Sequence, residues 1–341
     1  MTSSILKCQL ISGQDKDIYL DKNIVVSLLL TLLLFTGALL ADDSAVEVTP
    51  KGLQFKKMKE ISLEHEDLYI STKKIEVTLQ FRNNSKQDIT TDIAFPIPDY
   101  TFTPENYHQD FGDFTAEVNG ESIRLKKEER AFVNGKEYTD ELKMLGISIY
   151  NFNGFNTNDT FGLNIFVNLT ENTIDSLLKY GLIDTESFYP KWQVSLKYYW
   201  TQVFPAESTI TIKHTYSPHI GFQYVDFRPS NSDTSKQNPE RAFLIQDACL
   251  NTYAIEIFEK QINDQNQYVF PTWVSYVLAT ANNWSTSIKT FHLMIEKQQD
   301  ENFVSMCYNY QIYEAKPGYY ESTIYNFVPE KDLKVYFFLK R

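Results

Sequence analysis

The sequence predicts a mainly β protein, built as two β-sandwich-like domains with a short helical insert between their strands. Two observations carry this expectation. The first is a period-two alternation in two runs, Ile75 to Phe81 and Ile89 to Ile97, on either side of the polar turn Asn83 to Asp88, as strands with one buried face require. The second is an aromatic content of 15%, with 22 Tyr and 24 Phe, residues that suit half-buried strands. A hydrophobic content of 43% is enough for real cores. The formal charge of −12 argues against nucleic acid and against an anionic bilayer surface, since both need basic patches.

Residues 24–41 form an apolar run preceded by Lys22 and closed by Gly37-Ala38-Leu39-Leu40-Ala41. It reads as a signal peptide cleaved near Ala41. The alternative is an uncleaved anchor, because 18 residues is near the minimum for a span. Residues 1–21 are polar and odd for a signal, and read as an extension from a mis-called start. Residues 1–41 hold three Lys and three Asp, so their removal leaves the charge at −12. The expected localisation is periplasmic or secreted, with membrane contact only through the signal segment if it stays. Of the three cysteines, Cys249 and Cys307 lie in the exported part. Two cysteines in an oxidising compartment pair, so a disulfide between them is expected.

An N-terminal β domain is expected over 42–138. Glu64-His65-Glu66-Asp67 reads as a solvated turn; it lacks the ligand spacing of a calcium loop. Ile75, Val77, Leu79 and Phe81 alternate, then Ile89, Thr91, Ile93, Phe95 and Ile97. The two runs flank a polar turn and read as a hairpin, ended by Pro96 and Pro98 because proline donates nothing to a ladder. The loop 99–113 carries Tyr100, Phe102, Tyr107, His108 and Phe111. It is read either as a contact surface at the sheet end or as rings closing the core. Asn119-Gly120 marks a tight hairpin, and residues 126–130 are a mixed charge run on a solvated face.

Residues 139–190 read as a loop and helix insert. Its helix runs from Thr170 to Tyr180, capped by Thr170 or Asn172 and stopped by Gly181. Residues 191–227 supply further strands that pack on the N-terminal domain, through Trp192, Val194, Leu196 and Tyr198 and then Ile210, Ile212, His214 and Tyr216. His214 falls on the apolar face and reads as a hydrogen-bonded core histidine rather than a ligand. Residues 228–241 lack apolar periodicity and read as a mobile loop. A C-terminal β domain follows over 242–341, with strands at Trp273–Ala279, Phe291–Ile295 and Leu333–Leu339.

The chain contains no nucleophile elbow, phosphate loop, zinc helix or dinucleotide fingerprint. No catalytic residue, metal or cofactor is expected. Candidate partner contacts are Tyr100, Phe102, Tyr107, Phe111, Tyr199 and Trp200. The four tryptophans are candidates for sugar stacking, but each lies in or beside an apolar strand pattern that places it in a core.

Several motifs in order resemble a bacterial exported family known as domain of unknown function number 4424. They are Gly52-Leu53-Gln54-Phe55, Glu66-Asp67-Leu68-Tyr69-Ile70-Ser71, Ala94-Phe95-Pro96-Ile97-Pro98-Asp99, Tyr198 to Ala206, Tyr276 to Thr280 with Asn283-Trp284, and Phe327 to Leu333. The resemblance implies a periplasmic protein of Gram-negative type, with Cys249 and Cys307 as the family's cysteine pair and no catalytic residues to carry over. A more local similarity, over about Tyr69 to Ala131, is to the β-domain of vault and inter-alpha-trypsin proteins. It implies an adhesion or scaffolding module by fold analogy alone. The resulting expectation is a non-catalytic exported protein that binds an envelope protein or glycan. The alternative is a periplasmic hydrolase of glycans or cell-wall material using a carboxylate pair.

Overall fold

The computed structural model describes residues 43–49, 52–101, 113–150, 169–186, 189–228, 238–261, 268–299 and 301–339. The first described elements are an antiparallel pair, β1 (Ser44–Thr49) and β2 (Gly52–Phe55). β3 (Ile61–Ile70), β4 (Ile75–Asn83) and β5 (Ile89–Thr101) follow, then β6 (Thr115–Val118), β7 (Glu121–Ser122), β8 (Lys126–Val133) and β9 (Lys136–Glu137). Helices α1 (Thr139–Met144) and α2 (Glu171–Tyr180) precede two strands, β10 (Gln193–Phe204) and β11 (Thr209–Tyr216). Next come β12 (Ile220–Phe222), β13 (Val225–Asp226), α3 (Pro239–Asp247), α4 (Thr252–Gln261), β14 (Tyr268–Val269) and β15 (Pro271–Tyr276). The chain ends with β16 (Ile288–Glu296), β17 (Glu301–Ser305), β18 (Tyr313–Lys316), β19 (Tyr319–Phe327) and β20 (Leu333–Leu339).

The protein is mainly β. One sheet has the order β2-β1-β5-β10-β8-β9, a second β18-β19-β16-β3-β4-β11-β6-β7, and a third β12-β15-β20-β17. The first two face each other: Phe81 of β4 meets Phe204 of β10 edge-on at 6.0 Å, and Phe95 of β5 lies 4.8 Å from His214 of β11. The strands of the first two sheets bury alternate residues toward this shared core, as the period-two pattern demands. β20 is buried on both faces: Val335 and Phe337 enter the main core, while Tyr336 and Phe338 face α3 and α4.

β4 and β5 do not form a hairpin. β4 pairs with β3 and β11, and β5 pairs with β1 and β10, so the turn between them crosses from one sheet to the other. β10 and β11 cross in the same way, and the two crossings interlock. Fully buried Asn83 donates through Nδ2 to Gln87 O at 2.8 Å and to Phe204 O at 2.9 Å. Across the same junction Glu207 N donates to Ser85 O at 3.0 Å and Asn83 N to Ser208 O at 3.0 Å. Alternation is identical whether two strands lie side by side or face to face, because it reports burial and not hydrogen-bond partners.

Pro96 also does not end its strand. β1 pairs with β5 only at Asp92, Ile93 and Ala94. Among the described residues no strand pairs with that side of β5 beyond Ala94, so a residue without an N–H costs no described ladder bond there. The 64–67 segment is strand rather than turn, with Glu66 fully buried between outward neighbours. α2 matches expectation closely: Thr170 caps it, accepting from Thr173 N at 3.3 Å, and Gly181 closes it at φ 67°. Asn119 and Gly120 take positive φ values of 52° and 84°, as the tight hairpin turn requires.

Two differences concern the C-terminal half. Residues from 238 onward start with helices, not strands: Asn238 caps α3 by accepting from Arg241 N at 3.0 Å, with Pro239 in its first turn. Residues 229–237 of the segment read as a mobile loop lie outside the described residues. The strands after residue 242 also do not keep to themselves. β16 pairs in parallel with β3, matching His292 to Asp67, so the eight-stranded sheet joins both halves of the chain.

Cys249 and Cys307 form a disulfide, with Cα atoms 5.0 Å apart. It fastens the α3–α4 turn to the chain just beyond β17. Ser305 Oγ donates to Ala248 O at 2.6 Å, and Lys334 Nζ reaches Asp247 Oδ2 at 2.6 Å, beside it. No helix among the described residues is long and apolar enough to cross a membrane.

Candidate functional site

A cleft of about 160 Å3 opens where the three sheets meet. The end of β5 supplies Ile97 to Thr101, the β11–β12 turn supplies Tyr216, Pro218, His219 and Gly221, and β15 supplies Trp273 and Ser275. These segments are far apart in the chain and come together only through the sheet topology.

Each wall has a local cause. Gly221 lies opposite Trp273 in the β12–β15 register. A Cβ on Gly221 would sit 1.9 Å from Trp273 Cε2, so only glycine lets the indole lie flat on this strand. Lys334 Nζ lies 4.7 Å from the centroid of the same ring, a favourable cation–π contact. The Tyr100 ring stacks on the His219 ring at 5.1 Å and 27°. Asp99 reaches toward β10, where Gln193 Nε2 donates to its Oδ2 at 2.7 Å.

The two titratable groups of the cleft are shifted in opposite directions. Burial raises the Asp99 carboxyl above its ordinary value, opposed by its bonds to Ser195 and Gln193 and by the charge of Lys197. Burial pushes the His219 imidazole down to about 4. At neutral pH the imidazole is therefore uncharged, and the Asp99 carboxyl at the edge of the cleft is held toward β10. An aromatic-walled concavity with polar residues in its lining is the leading candidate binding site on physical grounds.

Two other polar groupings among the described residues contain histidine. Inside the core His214 Nε2 lies 2.9 Å from Asp43 Oδ2, both fully buried, and Trp284 Nε1 donates to Asp43 O at 2.7 Å. His214 is thus the bonded core histidine that the apolar pattern implied. On the outer face of the eight-stranded sheet, Asp67 lies between His65 Nε2 at 3.0 Å and His292 Nδ1 at 3.1 Å. No group of three His, Cys, Asp or Glu side chains among the described residues is arranged to hold a metal ion.

The candidate contact residues fall in different places. Tyr100 lines the cleft, although only 5% of it is exposed. Trp200 is 4% exposed, packs against His214 and donates to Gln202 Oε1 at 3.1 Å. Its place in the β10 alternation turns it inward, so it offers no outer surface. Tyr199, its neighbour, faces outward beneath Lys126, whose Nζ is 5.4 Å from the ring centroid. Phe102, Tyr107 and Phe111 lie outside the described residues; Thr101, the last described residue before them, is at the cleft. Trp192 and Trp284 are buried in the core. Trp273, one of the four tryptophans considered for sugar stacking, lines the cleft, whereas His219 and Gly221 carry no strong sequence signal. The one usable signal was the short His-Ile-Gly spacing after a strand, which alone is weak.

A family model described as Domain of unknown function (DUF4424) matches residues 41–336. No curated protein matches the chain. Among solved structures, one from Legionella pneumophila described as a "putative nutrient binding protein" is 13% identical, over 88% of this chain and 70% of that one, with a TM-score of 0.39.

Proposed function

The chain belongs to the DUF4424 family, and from that premise we propose that it is an exported, non-catalytic protein that binds an envelope component through the Asp99–Tyr100–His219–Trp273 cleft. The observation that carries this reading is the cleft itself, walled by Tyr100, Tyr216 and Trp273 and lined by His219, whose imidazole burial keeps neutral. Export is supported by the apolar run ending at Ala41 and by the disulfide, which persists in oxidising compartments. The hydrolase alternative needs two carboxyl groups facing one substrate. Among the described lining residues Asp99 is the one carboxyl, which favours binding over hydrolysis.

The test is a thermal-shift screen of the purified exported protein against cell-wall fragments, oligosaccharides and envelope extracts, run beside Tyr100→Ala. A ligand at a hundred times its dissociation constant stabilises the fold by about 2.7 kcal/mol. A compound that raises the melting temperature of the wild type and not of Tyr100→Ala supports the cleft. A shift of equal size in both places binding elsewhere. Turnover of a compound, abolished in Asp99→Asn, replaces binding with catalysis.

A further inference from the structure

We propose that Lys334 is a positioning residue of the cleft: anchored by Asp247 at the disulfide-tied end of α3, it holds the Trp273 indole against Gly221. The inference rests on the reading of this cleft as the binding site and adds what fixes one of its walls from behind.

The wall comes first. Trp273 lies on β15, opposite Gly221 of β12 on one side and Tyr336 of β20 on the other. Gly221 has no side chain to brace the ring, and a Cβ there would collide with it. The brace comes from β20. Lys334 lies opposite Ser275, another lining residue, and its Nζ is 4.7 Å from the Trp273 ring centroid. The same Nζ is 4.9 Å from the Tyr336 ring centroid, so one ammonium meets two π systems.

The anchor comes second. A lysine head rides on a flexible stem and steadies a ring only when the head itself is fixed. Lys334 Nζ donates to Asp247 Oδ2 at 2.6 Å, and the Tyr336 hydroxyl donates to the same oxygen. Burial works against the Asp247 carboxylate, yet those two bonds and the charges of Lys334 and Lys331 hold it below its ordinary value. It is therefore ionised at neutral pH and keeps the ammonium in place.

The fastening comes third. Asp247 ends α3, two residues before Cys249. Cys249 has a φ of 48°, a left-handed backbone that is costly for a residue with a Cβ. The disulfide to Cys307 and the bond from Ser305 Oγ to Ala248 O at 2.6 Å hold that turn. Cys307 Sγ also packs on it, 3.4 Å from Gln246 O and 3.5 Å from Asp247 O. The contacts run without a break from the disulfide through Asp247 and Lys334 to the cleft wall.

The experiment is fluorine NMR of the exported protein labelled with fluorotryptophan. No ligand enters it, so its outcome is separate from that of the thermal-shift screen. Trp273→Phe identifies the Trp273 resonance. The readout is the change of each resonance when heavy water replaces light water, which reports ring exposure and not the loss of a nearby charge. The variants are Lys334→Met, Lys334→Arg, Asp247→Asn and the double Cys249→Ser, Cys307→Ser. Losing a cation–π contact of this kind changes the held population of the ring about two- to fivefold. The expected result is a rise of about twofold in the Trp273 solvent effect in Lys334→Met and Asp247→Asn. Lys334→Arg, which keeps the charge, should show none, and the double serine variant should show the rise. Trp192 and Trp284, buried in the main core, should not change. An unchanged Trp273 in Lys334→Met overturns the proposal, as does a rise shared by all the tryptophans. A rise in Lys334→Met with none in Asp247→Asn overturns the anchor. A rise in both with none in the double serine variant, or a collapse of every resonance there, overturns the part given to the disulfide.

Discussion

Replacing both Cys249 and Cys307 by serine should lower stability by about 4 kcal/mol. The bond joins residues 58 apart. In the chain-entropy model a closed loop of that length loses about 14 cal/mol/K in the unfolded state, which at 25 °C gives about 4 kcal/mol. Spread over the unfolding entropy of a chain of this size, about 0.6 kcal/mol/K, the loss is about 7 °C in melting temperature. The double variant is the right perturbation, because a single one leaves an unpaired thiol. Calorimetry of the oxidised wild type against the variant reads the shift directly. A fall below about 2 °C would refute the loop-entropy reasoning. It would mean that α3 and α4 are held to β20 by their own contacts, Leu244, Ala248 and Phe258 against Tyr336 and Phe338, and by the Asp247–Lys334 bond. A transition that splits in two would show those helices leaving before the sheets melt.

Three further outcomes follow from the geometry. Gly221→Ala drives a Cβ into the Trp273 indole and should cost about 1–3 kcal/mol with a red shift of tryptophan emission; unchanged emission and midpoint would remove the claim that this glycine shapes the cleft. Asn83→Ala leaves the Gln87 and Phe204 carbonyls without their donor and should cost about 2–3 kcal/mol by urea unfolding, whereas a loss under about 0.5 kcal/mol would show that the two crossings do not depend on it. His219 has its folded value near 4, below its ordinary 6.5, so its share of stability is whole above pH 6.5 and is lost as pH falls toward 4. That share is about 3 kcal/mol at most, less for the partly exposed ring. Asp99, raised by burial, works the other way: its share is whole below its ordinary value and is lost as pH rises. The urea midpoint of the wild type should therefore fall more steeply than that of His219→Gln between pH 7 and 5, and parallel profiles would contradict the burial of His219.

What the sequence by itself determined was which side chains of the alternating runs face inward and where locally punctuated elements turn or stop. The alternation of Ile75 to Phe81 and of Trp192 to Tyr198 is the observed burial. Thr170, Gly181 and Asn119-Gly120 act as local punctuation, because caps and tight turns are settled by a few adjacent residues. Asn134-Gly135 carries the same hairpin signal, with φ values of 50° and 77°, and Asn238-Pro239 is a helix start of the ordinary kind. In both cases the charge and polarity of the surrounding residues mask the signal.

What only the tertiary structure decided was partnership. Nothing in two alternating runs states whether β4 and β5 share hydrogen bonds or face each other across a core. That depends on Asn83 and on the matching crossing of β10 to β11, over a hundred residues away. The parallel pairing of β16 with β3 is equally non-local. The cleft belongs to the same class, since Asp99, His219 and Trp273 become neighbours only when β5, the β11–β12 turn and β15 are placed by three different sheets. Periodicity is a property of one segment in its own environment, while a site is a property of distances between segments, and those are set by packing.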